Sequence, residues 1–359
     1  MEDFAMIKLS IIVPIYGVDQ YLRKCVDSLL AQDLPLSEYE IILVDDESPD
    51  TCPQICDEYA AAHENIRVIH RENGGLSAAR NSGIEIAQSD YLMFVDSDDY
   101  IEPNVLKGLM AQVERDNLDV LRYRLQYVRQ VDVKHLDAAR FDSSNLDAAQ
   151  LEYQVFNPYK KDPFNGNDYS EVPTDGVSFL NSRMNTQCYA WQFILRRDLI
   201  YTLHTTHSTS ENNVLFTPGI YFEDTDWTPR MLCKAKIVAS TNTVVYNYLM
   251  REGSITNAVN RNKQQKVLDD KMHLIATLLQ QAIDLQKSGR YNRWHRDMIS
   301  DTVVSIIGML SVEFYAEKDT YLEQLKQSEI YPLATKSFKA RIINLSPRFA
   351  VELLHIKNK

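Results

Sequence analysis

Short apolar runs alternate with segments of helical periodicity along the first 130 residues of the chain. The runs are rich in aliphatic residues, as buried strands are, and lie at Leu9–Ile15, Tyr39–Val44, Ile66–Ile69, Tyr91–Val95 and Val120–Val128. In the stretches between them, apolar positions return every three or four residues. Strands joined by crossover helices build parallel sheets, so the pattern predicts an α/β fold with a mostly parallel sheet flanked by helices.

Capping and breaking residues indicate where these helices begin. Asp19 is expected to cap the first helix, and Pro103 is expected to open the fourth. The two helices between them are predicted at Thr51–Ala62 and Leu76–Ala87.

The pattern weakens from about Gln130 to Val172, where the chain is polar and includes Asn157–Asn167. This stretch is expected to be an insertion or loop that either covers a site or is a plain surface excursion. Helical periodicity returns around residues 268–282 and 299–310. We therefore expect a helical C-terminal subdomain.

The tail, residues 334–359, is basic and amphipathic. It carries six Lys and Arg residues and the single acid Glu352, so its net charge is +5. Because the whole chain has a net charge of −12, the rest of the chain carries −17. Its apolar residues recur at helical spacing, with Pro347 expected to break the segment into two pieces, at Phe338, Ile342, Leu345, Phe349, Leu353 and Ile356. Two interpretations stay open: a surface that rests on anionic lipid, or helices packed on the preceding bundle with a solvated basic face.

The composition of the chain argues against several classes of protein. The chain has 50 Asp and Glu residues and 38 Lys and Arg residues, and this excess of negative charge argues against a nucleic-acid-binding protein. No apolar run approaches the ~18 residues of a membrane span, and Glu2 and Asp3 replace the basic start of a signal peptide. The five cysteines are scattered and odd in number, which suits a reducing compartment. We expect a cytoplasmic protein, peripheral on the inner membrane face if the tail meets lipid.

Acidic residues follow two of the predicted strands. Asp45 and Asp46 end the second strand, and Asp96, Asp98 and Asp99 end the fourth. The carboxyl ends of parallel strands form the usual ligand crevice of an open α/β sheet, although Asp is also common in turns. Five carboxylates on one rim would repel one another, and oxygen ligands suit Mg²⁺ or Mn²⁺. The pattern therefore predicts a metal that is shared with a nucleotide or diphosphate.

A glycine pair lies between the two acidic clusters, in the segment Asn73–Gly83. It precedes a helix that carries Arg80, and a helix start together with an arginine suits an anion. The segment could equally be a strand-to-helix connector. It matches neither a dinucleotide-binding fingerprint nor a phosphate-binding loop.

Four segments together resemble glycosyltransferase family 2, the inverting nucleotide-sugar enzymes of the GT-A (Rossmann-like) fold. They are Ser10–Tyr16, Ile42–Asp50, Asn73–Asn81 and Phe94–Asp99, in the family's order and spacing over about 90 residues. The resemblance implies a GT-A domain at 1–255, with a nucleotide-binding half at about 8–128 and an acceptor half at about 129–255, followed by the helical region at 256–359. It also implies that Arg251–Ile255 lies near the diphosphate.

The resemblance assigns roles on the donor side. Asp98 would bind the metal, Mn²⁺ or Mg²⁺, as the last acid of the motif Asp96-Ser97-Asp98, and Asp96 would face the ribose or the sugar of the donor. The other residues implied to contact the nucleotide are Pro14, Tyr16, Asp45, Asp46, Arg80 and Ser97, with Asp46 on the base. Gly17 departs from the family, which usually has Asn there, so no contact is assigned to it.

On the acceptor side, the resemblance implies that Asp224 is the catalytic base and that Glu223 contacts the acceptor. Glu223 and Asp226 are the fallback candidates for the base. Without the family, this acidic segment is equally an N-terminal helix turn, and both interpretations can hold together. Trp191 falls in a segment that resembles the acceptor floor. Its ring would either stack on a sugar or be a core aromatic.

These features predict a metal-dependent inverting glycosyltransferase that moves a sugar from a nucleotide donor, expected to be UDP-linked, to a saccharide hydroxyl. The acceptor would belong to a polysaccharide or to a lipid-linked oligosaccharide. One alternative is a nucleotidyltransferase, whose usual glycine-rich loop with a basic residue after the first strand is missing. The other is a nucleotide-sugar or glycan-binding relative without turnover.

Overall fold

The computed structural model describes residues 6–132, 151–156, 169–185, 188–201, 213–250, 260–334 and 337–358. Most of the expected loop, at 133–150 and 157–168, and the segment Arg251–Ile255 lie outside these residues. The chain divides into two compact units, each assembled from three stretches of sequence.

The first unit comprises Met1–Pro173, Trp191–His207 and Ile237–Ala258. Its described strands are β1 Leu9–Ile15, β2 Tyr39–Asp45, β3 Ile66–His70, β4 Tyr91–Phe94, β5 Tyr100–Ile101, β6 Val120–Asp132, β7 Leu151–Phe156, β8 Phe193–Arg196 and β9 Val238–Met250. Its described helices are α1 Asp19–Leu30, α2 Cys52–Ala62, α3 Leu76–Ile86 and α4 Leu106–Arg115.

These strands form one sheet in the order β3-β2-β1-β4-β8-β6-β9-β5, with β7 paired to β6. The four strands β3, β2, β1 and β4 are all parallel, as the sequence predicts, and every residue of β1, β2 and β4 is buried. Beyond β4 the pairing is more mixed than the pattern indicates. β8 runs antiparallel to both β4 and β6, while β6 and β9 are parallel.

The predicted cap of the first helix and the predicted start of the fourth helix are wrong. Asp19 is the first residue of α1, and its Oδ2 accepts a hydrogen bond from Thr51 Oγ1 at 2.9 Å instead of capping its own helix. The fourth helix begins at Leu106 and not at Pro103. Asn104 adopts a left-handed conformation with a φ of 57°, so the backbone between Pro103 and Leu106 is not helical.

The second unit comprises Thr174–Ala190, Ser208–Lys236 and Val259–Lys359. Its described helices are α5 Gly176–Arg183, α6 Glu223–Lys234, α7 Arg261–Lys287, α8 Arg293–Ser311, α9 Lys318–Gln327, α10 Phe338–Leu345 and α11 Pro347–Asn358. Pro347 starts α11, so the tail is two helices, as expected. Two stretches before residue 256 also belong to this unit, which therefore contains Asp224. Among the described helices, none is long and apolar enough to cross a bilayer.

Candidate functional site

The carboxyl ends of β2, β1 and β4 lie side by side and form an acidic rim in the first unit. The backbone N–H of Asp46 donates to Ile15 O at 2.9 Å, and the N–H of Val95 donates to Ile12 O at 3.0 Å. These bonds extend the parallel pairing to the ends of the strands. The rim consists of Asp45, the last residue of β2, and of residues that follow the three strands, which are Tyr16, Asp46, Asp96, Ser97, Asp98 and Asp99.

Asp46 organises the glycine pair that precedes α3. Its buried carboxylate accepts hydrogen bonds from the backbone N–H of Gly74, at 3.1 and 3.2 Å, and from that of Gly75 at 2.7 Å, and it also pairs with Arg71. The side-chain amide of Asn73 donates to Asp46 O at 3.1 Å. A carboxylate that accepts several backbone N–H groups fixes a loop firmly, because each is a charge-assisted bond. These hydrogen bonds thus connect the segment Ile42–Asp50 to the segment Asn73–Asn81.

Helix α3 lies directly against β1 and positions Arg80. A Cβ added at Gly83 would lie 2.4 Å from Ile12 Cγ2, so only glycine permits this approach. On the same helix the Arg80 side chain is 1% exposed, and its Nη2 donates to Asp96 Oδ1 at 2.8 Å. The buried guanidinium of Arg80 therefore offsets the negative charge of Asp96, one of the acids of the rim.

Asp99 anchors the turn after β4 to β9. Its Oδ1 accepts from the backbone N–H of Leu249 at 2.7 Å, and its Oδ2 accepts from the Tyr246 hydroxyl at 2.7 Å. The same hydroxyl accepts from the N–H of Asp96 at 3.1 Å. Burial raises the pKa of Asp99 well above its usual range, and the charges of Asp98 and Asp96 raise it further. Asp99 is therefore an internal brace of the rim, while Asp96 and Asp98 are only partly buried.

The donor set of this rim suits a hard divalent cation that is shared with a ligand. Among the described residues, no three His, Cys, Asp or Glu side chains are placed to enclose a metal ion. Mg²⁺ is commonly held by one or two carboxylates together with substrate phosphates and water. A partly buried carboxylate such as Asp98 fits that mode of binding.

The remaining predicted donor-side residues occupy different environments. Pro14 is buried within β1 and paired in register with Val44, whereas the Tyr16 side chain, just beyond the strand, is 55% exposed. Asp45 is buried, and it accepts from the backbone N–H of Ser48 at 3.0 Å. Ser97 is also buried. Of these four, Tyr16 alone presents a largely exposed side chain at the rim.

Trp191 belongs to the core of the first unit. Its side chain is 2% exposed, and its ring stacks on Tyr246 with centroids 4.1 Å apart and an interplanar angle of 11°. Its backbone carbonyl accepts a hydrogen bond from the Tyr123 hydroxyl. This environment is that of the core aromatic, the second of the two interpretations of Trp191.

The segment with the proposed base begins α6 in the second unit. Phe222 precedes the helix in a left-handed conformation with a φ of 64°, and Glu223 and Asp224, both partly buried, occupy the first turn. Asp226 is buried, and its Oδ2 accepts from Thr217 Oγ1 at 2.8 Å and from Arg230 Nη2 at 2.6 Å. Asp226 is therefore held by contacts within the second unit, and Glu223 and Asp224 lie beside it in the first turn of α6.

Three residues that contact the acids of the rim are not among the predicted site residues. Arg71 pairs with Asp46, His70 contacts Asp45, and Tyr246 braces Asp99. His70 ends β3 and Arg71 follows it, so the rule about carboxyl ends could have found both. No sequence signal indicates Tyr246, because it depends on β9 crossing to the rim from 150 residues away.

Comparisons with known proteins agree with this arrangement. The profile of the family described as "Glycosyl transferase family 2" matches residues 10–167. The uncharacterized glycosyltransferase EpsJ of Bacillus subtilis is 47% identical over 113 residues, which is 32% of each chain. Glycosyltransferase GlyG of Streptococcus pneumoniae is 30% identical over 254 residues, which is 69% of this chain and 72% of GlyG.

A solved structure shares the fold over almost the whole chain. TarS 1-349 of Staphylococcus aureus, in complex with UDP-GlcNAc, superposes with a TM-score of 0.68 at 20% identity, covering 98% of this chain and 93% of that one. The match includes the helical C-terminal region as well as the sheet. With a shared profile across the motifs that build the rim and a relative matched over most of its length, the chain belongs to glycosyltransferase family 2.

Proposed function

We propose that this protein is a metal-dependent inverting glycosyltransferase that uses a nucleotide-diphosphate sugar, with UDP as the expected nucleotide, and a saccharide hydroxyl as acceptor. One observation carries the proposal. The acidic rim combines a partly buried Asp98, an Asp96 compensated by Arg80, and a glycine loop fixed by Asp46. The complex of TarS with UDP-GlcNAc supports the same ligand class.

The donor would lie over the ends of β1, β2 and β4. In this proposal Tyr16, which is exposed beyond β1, contacts the nucleotide, and the Asp46 loop shapes the side of the pocket near the base. Arg80 holds Asp96 in place, and Asp96 faces the ribose or the sugar. Pro14, Asp45 and Ser97 form the buried floor beneath the donor.

Asp98 would hold Mn²⁺ or Mg²⁺ together with the diphosphate oxygens of the donor. The metal supplies Lewis-acid stabilisation of the negative charge that develops on the departing nucleoside diphosphate. The carboxylate chemistry of the rim suits such an ion, and the shared mode of binding requires no complete cage of protein ligands.

Asp224 would take the proton of the acceptor hydroxyl. As the O–H bond breaks, the acceptor oxygen forms a bond to the anomeric carbon from the face opposite the diphosphate. The bond between that carbon and the diphosphate oxygen then breaks, and its electron pair leaves with the nucleoside diphosphate. One such transfer inverts the anomeric configuration and needs a single general base. Glu223, in the same turn, would contact the acceptor.

The acceptor is expected to be a growing surface polysaccharide, or a lipid-linked oligosaccharide at the cytoplasmic face of the membrane. The names of relatives support this class: curated matches include poly(ribitol-phosphate) beta-N-acetylglucosaminyltransferase TarS and a poly(ribitol-phosphate) beta-glucosyltransferase. No specific observation favours the nucleotidyltransferase alternative, and the family assignment weighs against it.

A calorimetric titration of UDP, GDP, CDP and dTDP, each with and without Mn²⁺, tests the donor proposal. We expect one diphosphate to bind, and to do so only with metal. A folded protein that binds none of the four would overturn the nucleotide-sugar assignment.

The Asp224→Asn variant tests turnover separately, because it removes the base and leaves the rim unchanged. We expect it to bind the donor with unchanged affinity and to lose transfer by about 10²- to 10⁴-fold, the usual contribution of a general base. Glu223→Gln serves as the neighbouring comparison and should retain more activity. Undiminished transfer in Asp224→Asn would overturn the base assignment, and a wild-type protein that binds donor without transferring would favour the non-catalytic alternative.

A further inference from the structure

The two C-terminal helices, α10 and α11, expose a set of large apolar side chains. Their exposures range from 43% to 86%, and the residues are Phe338, Leu345, Phe349, Leu353 and Ile356. The opposite sides of the helices are packed inward through Ala340, Ile343, Ala350 and Val351, all of them buried. Each helix is therefore anchored by small and β-branched residues and presents its larger apolar side chains to solvent. By their spacing, Phe338 and Leu345 share one face of α10, and Phe349, Leu353 and Ile356 share one face of α11. Exposed apolar faces of this kind usually mark an interaction surface.

Basic side chains accompany these apolar residues. Lys339, Arg341 and Lys357 are exposed, and none of them pairs with a carboxylate among the residues that the structure describes. Arg348 lies 3.3 Å from Asp319 but remains 67% exposed. The exposed face of the tail is therefore cationic as well as apolar.

The single acid of the tail contacts the helices that precede it. Glu352 accepts a hydrogen bond from the Tyr315 hydroxyl and lies 3.7 Å from Lys318 Nζ. On the same helix, His355 stacks on Tyr315 with ring centroids 3.6 Å apart, and its Nδ1 lies 2.7 Å from Ser311 O. These contacts fix the orientation of α11 against the preceding helices. They pair the one negative charge of the tail with Lys318, and the Glu352 side chain is still 38% exposed.

We propose that α10 and α11 form a membrane-docking surface that binds anionic phospholipid. The apolar side chains would enter the boundary between headgroups and acyl chains, and the cations would contact the headgroups. Charge complementarity selects this occupant, because the tail carries +5 while the rest of the chain carries −17 and is repelled by an anionic surface. Docking is therefore confined to the tail.

A second copy of this chain is a poorer occupant of the same surface. Self-association through these helices would bring two cationic faces together, and like charges across an interface oppose binding. The membrane proposal is also independent of the proposed transferase activity, because lipid binding requires neither donor nor acceptor. Either one can fail without the other.

Flotation of the full chain with lipid vesicles tests the proposal. We expect binding to phosphatidylcholine vesicles that contain about 30% phosphatidylglycerol, little binding to phosphatidylcholine alone, and release as NaCl rises from about 0.1 to about 0.5 M, since salt screens surface charge. Absence of binding to the anionic vesicles, or equal binding to both compositions, would overturn the proposal. This comparison uses the unmodified protein, so it does not depend on any variant folding.

Two exposed-face variants test the residues. Lys339→Glu/Arg341→Glu/Lys357→Glu should weaken vesicle partitioning on the order of a hundredfold, and Leu345→Ser/Phe349→Ser should weaken it at least about tenfold. Matched controls outside the tail are Lys287→Glu and Val312→Ser, also exposed, which should bind as the unmodified protein does. Unchanged binding in both tail variants would contradict the proposal. So would a change of oligomeric state in sedimentation without any vesicle binding, which would indicate a protein partner instead.

Discussion

The Arg80 guanidinium lies 2.8 Å from Asp96 Oδ1, with only 1% of the arginine side chain exposed. This pair joins α3, which follows the glycine loop, to the turn that follows β4. Since Asp46 fixes the start of the same loop, three separate motifs are linked by two carboxylates. The acidic rim is therefore a connected structure that forms within one unit.

Replacing Arg80 by Met is expected to destabilise the protein by about 3 kcal/mol, because it leaves the partly buried Asp96 without its cation. Chemical denaturation followed by circular dichroism measures the loss. Arg23→Met is the matched control, since Arg23 pairs with Glu58 where both side chains are more than half exposed, and it should have little measurable effect. Equal losses of stability in the two variants would show that burial of the Arg80–Asp96 pair does not increase its contribution to the free energy of unfolding.

His70 is expected to make stability depend on pH. Its Nδ1 lies 3.0 Å from Asp45 Oδ2 and its Nε2 lies 3.1 Å from Asp57 Oδ1, and the Asp45 contact is the main cause that raises its pKa above the ordinary 6.5. A histidine with a raised pKa adds stability below the pKa of the unfolded chain, and this contribution is lost as the pH rises through the higher folded-state pKa. The side chain is 44% exposed, so the effect should be small.

Urea unfolding at a series of pH values above and below 6.5 measures this dependence. The profile of His70→Gln should lack the fall in stability that the unmodified protein shows as the pH rises above 6.5. Identical pH profiles for the two proteins would rule out the contribution of His70.

Lys24 lies between two tyrosine rings. Its Nζ is 4.0 Å from the centroid of Tyr100 and 3.9 Å from that of Tyr153, and burial lowers its pKa. This contact connects α1 to β5 and β7. A double-mutant cycle with Lys24→Met and Tyr153→Leu should give a coupling free energy of about 1 kcal/mol. Additive effects of the two substitutions would indicate that the cation does not interact with the Tyr153 ring.

Gly176 permits a close contact inside the second unit. A Cβ at this position would lie 1.7 Å from Leu232 O, so Gly176→Ala should lower the free energy of unfolding by at least about 3 kcal/mol as α5 and α6 separate. Gly108→Ala in α4 is the matched control, because its Cβ would meet nothing within 4 Å, and it should stabilise by about 0.5 to 1 kcal/mol. A tolerated alanine at 176 would refute the close packing of these two helices.

The parallel half of the sheet could be predicted because local sequence determines it. The run Leu9–Ile15 is apolar except for Ser10 and becomes β1 with the same bounds, and the acids at the carboxyl ends of β2 and β4 lie at one rim as expected. A buried parallel strand is a nearly continuous apolar run, and a change to polar residues marks its end. Both features can be recognised without tertiary information.

Features that depend on distant contacts could not be predicted in the same way. Asp19 loses its capping role because Thr51, 32 residues away, binds its carboxylate. Trp191 becomes a core residue because β9 brings Tyr246 against its ring. The mixed pairing beyond β4 likewise depends on which strands meet, and apolar periodicity carries no information about that choice.

A calorimetric titration of UDP in the presence of Mn²⁺, performed on the unmodified protein and on Asp98→Asn, tests the donor site most directly. Asp90→Asn is the matched control, since this exposed acid precedes β4 at the opposite end of the same strand. A nucleotide site at the acidic rim predicts metal-dependent binding that weakens at least about tenfold in Asp98→Asn and is unchanged in Asp90→Asn. Equal affinity in all three proteins, or binding that needs no metal, would contradict the proposed role of Asp98.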